Sequence, residues 1–376
     1  MHLLRVQVPD FRGLKDIDIS FEKDFFPKIF PLGSQNGGGK STLLQLIFVL
    51  LHCSVDEDKK PFLQNILHDF QIYDGEEKRV LAIIDIWDGK EIFKIEFYVR
   101  KFEESTLVDK NIQHEDIELE HRIDICNYSS NINYTNHQEP NTKLLCHFNN
   151  LKQDEGRLFL NKVSHQIFLA APLTQVFLFL PRYCKVLLFR GSSQGDGGYY
   201  GIVDSVKSQL KGFFTYDFLA VDLLIESFKA ARDRDFREAI KTGNYGNSYQ
   251  SLIRELNLLL GNKRINLNED FSGVNFKLYN NGETIELYPE DLSHGELKRL
   301  SIYMWLKLRN IEDAIVLMDE VEIAFHPDWQ YQIISDLKEW APSNQYILAT
   351  HSYALCEALT PAHVKEIEPK LIKQES

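Results

Sequence analysis

Ten residues, Gly33-Ser34-Gln35-Asn36-Gly37-Gly38-Gly39-Lys40-Ser41-Thr42, restrict this chain to few folds. They follow an apolar run at 28–32 and open a segment in which Leu43, Leu44, Leu46, Ile47, Leu50 and Leu51 recur at helical spacing, so the loop joins a strand to a helix. Backbone N–H groups of a glycine-rich turn converge on anionic oxygens, and the following helix adds its positive end. Against the pattern GxxxxGK[ST], Lys40 is placed to bridge β- and γ-phosphates and Ser41 to ligate Mg²⁺. The position five before Gly39 is Ser34, with the glycine one earlier at Gly33. A turn with positive φ must therefore be redrawn through Gly33, or Ser34 is strained.

With 376 residues and 44% hydrophobic content, the chain can fill a substantial core as one large or two modest domains. A formal charge of −13 excludes a protein that coats nucleic acid through bulk positive charge, so any DNA contact must be local. Cys53, Cys126, Cys146, Cys184 and Cys356 are odd in number, scattered and without a CxxC pair. That suits reduced thiols and a cytoplasmic protein. The N-terminus reaches charge and proline before a signal-peptide core could form. The apolar stretch 166–189 is broken by Pro172, Pro181, Arg182 and Lys185, short of the roughly 20 uninterrupted residues a membrane span needs; it reads as buried strands and a turn.

Residues 2–8 and 16–21 alternate apolar and polar around Pro9-Asp10-Phe11-Arg12-Gly13, predicting two antiparallel strands, and a helix is predicted over 40–53. Segments 78–87 and 91–100 flank Asp88-Gly89-Lys90 as a hairpin, and 271–279 with 284–288 form another around Asn280-Asn281-Gly282. Residues 105–150 are polar, Asn-rich and without helical period, which predicts an irregular insertion. Helices are expected over 217–240 and 248–260. From 292 onward helices and strands alternate, the rhythm of a parallel sheet. The expected class is α/β, a mixed sheet with an antiparallel β subdomain and a helical or irregular insertion lobe. No sustained heptads occur.

Three further stretches carry chemistry. The strand-like run 314–318 ends in Asp319-Glu320; such carboxylates suit a Mg²⁺ ligand and an orienter of attacking water, or an ordinary acidic turn. A second apolar run, 344–350, ends in His351, which could contact a γ-phosphate or simply be solvated. Leu292-Ser293-His294-Gly295-Glu296 opens a helix; Ser293 and Glu296 stand at capping-box spacing, and the same helix N-terminus could face a phosphate.

In order and spacing these stretches resemble the ABC-type P-loop ATPases of the RecF, structural-maintenance-of-chromosomes and OLD-like group, whose opening is similar to Phe11-Arg12-Gly13-Leu14-Lys15-Asp16-Ile17-Asp18-Ile19 here. By that resemblance 35–42 is the Walker A motif, 292–296 the signature, 315–320 Walker B and His351 the switch histidine, and 322–327 is similar to a "DEPE…LHP" ending. The resemblance implies an ATPase in three lobes, 1–104, 105–270 and 271–376, that forms a head-to-tail homodimer, or a higher even oligomer, around ATP and Mg²⁺. Ser34, Gln35, Asn36, Gly37, Gly38, Gly39, Lys40, Ser41 and Thr42 would bind ATP, with Arg12 near the nucleotide. Ser41 and Asp319 would hold Mg²⁺, Glu320 would act as general base, and His351 would touch the γ-phosphate. Ser293, His294, Gly295 and Glu296 would reach the ATP of the other subunit; His294 and Glu296 depart from the group's usual residues. The Mg²⁺-completing glutamine is one of Gln71, Gln113, Gln166 and Gln175.

The resemblance further implies a sensor or regulator of a separately encoded nuclease or toxin, similar to ATPase subunits of anti-phage systems of Septu and retron type. The alternative is a RecF-like DNA clamp using Lys229, Arg232, Arg234, Arg237 and Lys241, although Asp233, Asp235 and Glu238 interrupt that row as in a salt-bridged solvated face. A third reading gathers Cys126, His137, Cys146 and His147 around zinc or in a nuclease site.

Overall fold

Strand alternation, glycine turns and apolar periodicity set the elements in chain order, seen here in a computed structural model that describes residues 1–34, 37–68, 70–102, 121–128, 141–180, 199–216, 220–280 and 283–367. The first are β1 (His2–Phe11), β2 (Leu14–Ser20), β3 (Ile29–Gly33), α1 (Lys40–Cys53), α2 (Lys60–Leu67), β4 (Lys78–Trp87), β5 (Ile92–Phe102), β6 (Arg122–Tyr128) and β7 (Asn141–Phe148). Then come α3 (Gln153–Ser164), β8 (Ile167–Ala171), α4 (Tyr199–Gln209), β9 (Phe213–Thr215), α5 (Ala220–Thr242), α6 (Ser248–Leu259), β10 (Lys263–Leu267), β11 (Val274–Asn280) and β12 (Glu283–Leu287). The last are α7 (His294–Leu308), β13 (Ile315–Asp319), α8 (Pro327–Trp340), β14 (Gln345–Ala349), α9 (Tyr353–Glu357) and β15 (Lys365–Glu366).

They form two units. The first comprises Met1–Thr215, Asp313–Val321 and Ser343–Ser376. It holds an antiparallel sheet of order β2-β1-β4-β5-β7-β6 and a parallel sheet of order β15-β3-β14-β13-β8-β9. β13 and β14 are buried along their whole length, which is why they read as continuous apolar runs. α1 packs on β8, β13 and β14 and also meets α2 and α3. Leu43, Leu44, Phe48, Val49, Leu50 and Leu51 are all fully enclosed. The helix is therefore buried all round rather than on one side, and each such leucine contributes about 2 kcal/mol of burial. The second unit, Tyr216–Glu312 with Glu322–Pro342, consists of α5, α6, α7, α8 and the antiparallel sheet β10-β11-β12.

Three expectations are corrected. The turn between β1 and β2 is only Arg12-Gly13, because Asp10 and Phe11 stay paired with Lys15 and Leu14. Pro9 is accommodated because β4 pairs with β1 only as far as Gln7. Within 105–150, β6 and β7 are strands of the antiparallel sheet, with a register shift between Asp124 and Cys126, rather than irregular chain; Ile123, Ile125 and Leu144 join the core, and Leu145 is buried on the opposite face. Residues 103–120 and 129–140 lie outside the described residues. Among the described residues of 166–189 only β8 is a strand; residues 173–179 form a 3₁₀ segment, and 181–189, including Cys184, fall outside the described residues. No helix among the described residues is long and apolar enough to cross a membrane.

Burial creates an acid-sensitive point at the end of α1. His52 lies 4.8 Å from the Phe48 ring and donates from Nδ1 to the Ser164 carbonyl at 2.7 Å, while Nε2 has no partner among the described residues. Burial holds its pKa down at about 4, against an ordinary 6.5. The unfolded chain takes up this proton near pH 6.5 and the folded chain resists until about pH 4, so stability falls through that window by about 3 kcal/mol and then levels. Thermal melts between pH 7 and 4 should flatten in His52→Gln, which keeps a donor but does not titrate; an unchanged slope would reject this origin.

Candidate functional site

The parallel sheet brings distant stretches to one edge. Leu32 pairs with Ala349, and Ala349 with Asp319, so β3, β14 and β13 end side by side at their carboxyl ends. In open parallel sheets ligands bind at that edge. Lys40, 5% exposed, donates from Nζ to the Ser34 carbonyl at 3.0 Å and to Ser34 Oγ at 2.9 Å, and lies 3.4 Å from His351 Nδ1. Ser41 Oγ donates to Asp319 Oδ1 at 3.0 Å, and Asp319 is 1% exposed. Lys40, Ser41, Ser34, Asp319 and His351 are thus brought together within the first unit. Gln35 and Asn36 lie outside the described residues.

The Ser34 difficulty resolves differently from the expected redrawing of the turn. Gly33 closes β3 in pairing with Glu366, and the left-handed conformations fall on Gly37 (φ 82°) and Gly39 (φ 85°). Ser34 is not left-handed. Its hydroxyl instead holds Lys40. Gly39 has a second constraint: a Cβ there would lie 2.5 Å from Leu14 Cδ2, so the loop must be bare where it passes β2.

Two of the candidate side chains sit on left-handed backbone without being glycine: Glu320 at φ 51° and Arg12 at φ 55°. Conformations of this kind cost about 1–3 kcal/mol and gather at functional sites. The Glu320 N–H donates to the Ala349 carbonyl at 2.9 Å, fixing the residue against β14. Arg12 donates from Nη2 to the Ile66 carbonyl at 2.7 Å and lines a cavity of about 410 Å³ with Phe11, Phe70, Gln71, Tyr73 and Arg79. Among the other glutamines, Gln166 precedes β8, at the amino edge of the sheet, where its carbonyl accepts the Ile315 N–H. Gln175 follows the carboxyl end of β8 and accepts a hydrogen bond from Gln45, one helical turn after Ser41 on α1. Gln113 is outside the described residues. Gln45 was silent in the sequence because a glutamine within an apolar helix has no motif around it.

Ser293, His294, Gly295 and Glu296 lie in the second unit, at the start of α7. Ser293 N–H donates to Glu296 Oε2 at 2.9 Å and the Glu296 N–H to Ser293 Oγ at 3.3 Å, a complete capping box. Glu296 also pairs with Lys263 of β10. Burial alone would raise the Glu296 carboxyl, but Lys263 and Ser293 outweigh it and hold the group below the ordinary carboxylate range. This ion pair gives a structural reason for glutamate at that position. Gly295 is required by approach rather than by φ: a Cβ there would sit 2.7 Å from the Ala324 carbonyl. Lys298, one turn on and buried, donates to the Ile323 carbonyl at 3.1 Å with its ammonium 4.0 Å from the Tyr216 ring centre. The start of α7 is thereby clasped to the loop that follows β13.

Cys126 and Cys146 are buried on β6 and β7, where burial pushes the Cys126 thiol up to about 11. His137 is outside the described residues, and among the described residues no three His, Cys, Asp or Glu side chains gather to hold a metal.

Residues 209–357 match the family described as AAA domain, putative AbiEii toxin, Type IV TA system. The matched stretch contains Ser293–Glu296, Asp319, Glu320 and His351 and excludes the glycine loop. The chain is 31% identical over 98 residues to the retron Vc95 probable ATPase of Vibrio cholerae serotype O1 biovar El Tor. That similarity covers 23% of this chain and only 19% of the relative's length. Among solved structures, an SmcHead bound to the C-winged helix domain of ScpA is 13% identical, with 95% of this chain and 92% of that chain covered at a TM-score of 0.46. The SMC head domain from Thermotoga maritima is 10% identical over the same shares, at a TM-score of 0.45.

Proposed function

We propose, for a chain whose residues 209–357 match an AAA-domain family model, that the carboxyl edge of the parallel sheet binds ATP with Mg²⁺ and hydrolyses it to ADP and phosphate. The observation that carries this reading is the convergence of Lys40, Ser34 and His351 with the Ser41–Asp319 pair. A glycine cradle with no room for a Cβ at Gly39, opening directly into α1, fits a row of phosphate oxygens. A serine hydroxyl and a carboxylate 3.0 Å apart are hard oxygen donors, the set Mg²⁺ takes. When bound, Mg²⁺ supplies charge neutralisation to the phosphates. In this reading Lys40 and the loop amides hold the phosphates, Glu320 takes the proton of the attacking water, and His351 orients the terminal phosphate. Gln175 is the favoured third ligand of Mg²⁺ after Ser41 and Asp319, because it alone of the described candidates adjoins α1 one turn beyond Ser41.

The start of α7 would face the nucleotide of a second copy, making the assembly a head-to-tail dimer. With its similarity to a retron ATPase, the chain is proposed to act in the cytoplasm as an ATP-dependent sensor or regulator of a separately encoded nuclease or toxin in anti-phage defence. Copurification from the native host with and without ATP tests the partner. The chemistry is tested by Asp319→Asn, expected to lower Mg²⁺-dependent turnover about 100-fold or more through the lost metal ligand. Chelation should abolish hydrolysis in the unaltered protein. Hydrolysis that persists in chelator, or full activity of the variant, would count against the site.

A further inference from the structure

The charged face of α5 is legible only in three dimensions. In sequence its arginines alternate with acids as in a self-neutralised helix. In the fold Asp235 and Asp233 are engaged by other groups. Asp235, 7% exposed, accepts the Ser248 and Tyr249 N–H groups at 2.7 and 2.9 Å and so holds the start of α6. Glu238 turns its carboxylate over Gly246, 2.5 Å from where a Cβ would stand. Asp233 pairs with Arg232 at 2.9 Å. The side chains of Arg234 and Arg237 are exposed and make no hydrogen bond or ion pair among the described residues, Arg234 acting on Asp235 only through its charge, and they share a cavity of about 330 Å³ with Lys307 of α7, whose side chain likewise makes none.

The next cavity along α5, about 490 Å³, is aromatic. Phe236 and Tyr245 are 53% and 74% exposed, with ring centres 6.4 Å apart, and Tyr249 and Phe271 form a second pair at 6.4 Å. The Arg232 guanidinium lies 5.0 Å from the Phe271 ring centre. Asp233 lines both cavities, so the cationic and aromatic sites are contiguous. It is the gathering of exposed rings into one patch that marks a binding surface.

We propose that this face of the second unit binds single-stranded nucleic acid, phosphates at Arg234, Arg237 and Lys307 and bases against Phe236 and Tyr245. Cations alone would suit any polyanion. Exposed rings beside them suit bases that are free to stack, which a duplex withholds. Such binding escapes the repulsion of a −13 chain because the cations are grouped and two of their neighbouring acids, Asp233 and Asp235, are engaged elsewhere. The proposal stands apart from ATP hydrolysis, since it uses none of the residues assigned there.

The test uses the full chain without ATP and a fluorescent oligothymidylate, titrated over a range of salt. Arg234→Ala/Arg237→Ala/Lys307→Ala should lower the slope of log affinity against log salt by about 2, at ~0.7 per neutralised phosphate. Phe236→Ala/Tyr245→Ala should weaken binding about tenfold or more and leave that slope unchanged. All five side chains are exposed, and melting curves with unchanged ATPase rates confirm intact folding. Absence of binding at low salt, a duplex bound as tightly as the single strand, indifference to both variants, or equal competition by polyglutamate would each overturn the proposal.

Discussion

Lys40→Ala is expected to reduce ATP affinity by about 10²–10⁴-fold, since two or so charge-assisted hydrogen bonds to phosphate oxygens, about 1.5–3 kcal/mol each, are lost together. The ammonium is 5% exposed and held by both the carbonyl and the hydroxyl of Ser34. Little ordering therefore opposes its transfer to a phosphate, which is the condition under which a charged contact contributes most. Calorimetric titration with ATP and Mg²⁺ checks this. Ser34→Ala should weaken binding far less, because Lys40 keeps the Ser34 carbonyl. A Lys40→Ala protein that binds ATP within threefold of the unaltered chain would remove the phosphate cradle from consideration.

What could be read from the sequence follows from the range of the forces involved. α1, β13, β14 and the hairpin of β4 and β5 are announced by local period and turn chemistry, and they lie where expected within a residue or two. β6 and β7 are not, because their apolar alternation is short and set between polar, Asn-rich flanks. At the candidate site the identities of Lys40, Ser41, Asp319 and His351 are visible as motif letters. Their contact depends on β3, β14 and β13 being neighbours, a property of strand order that no local pattern carries. The same limit hid how Ser34 works, since a hydroxyl holding Lys40 across the loop leaves no trace in spacing. It also hid the engagement of Asp235, and with it the cations of α5.

Glu320→Gln should bind ATP normally and hydrolyse it about 10²–10⁴-fold more slowly, the range a positioned general base contributes. The amide has the size of the carboxylate but cannot accept the proton of water, so the bound state should persist and the dimer should accumulate in gel filtration with ATP. Backbone geometry allows a sharper form of the experiment. Glu320 is left-handed at φ 51°, a conformation glycine adopts without strain, and its N–H bond to Ala349 involves no side chain. Glu320→Gly should therefore be about 1 kcal/mol more stable than Glu320→Ala, since both lose the carboxylate and only glycine relieves the backbone, while losing turnover as severely as the glutamine variant. A residue kept for packing would show the opposite, losing stability and retaining turnover. Stability gained as activity is lost places the strain in the service of the carboxylate, and unchanged turnover in both variants would remove Glu320 from the reaction.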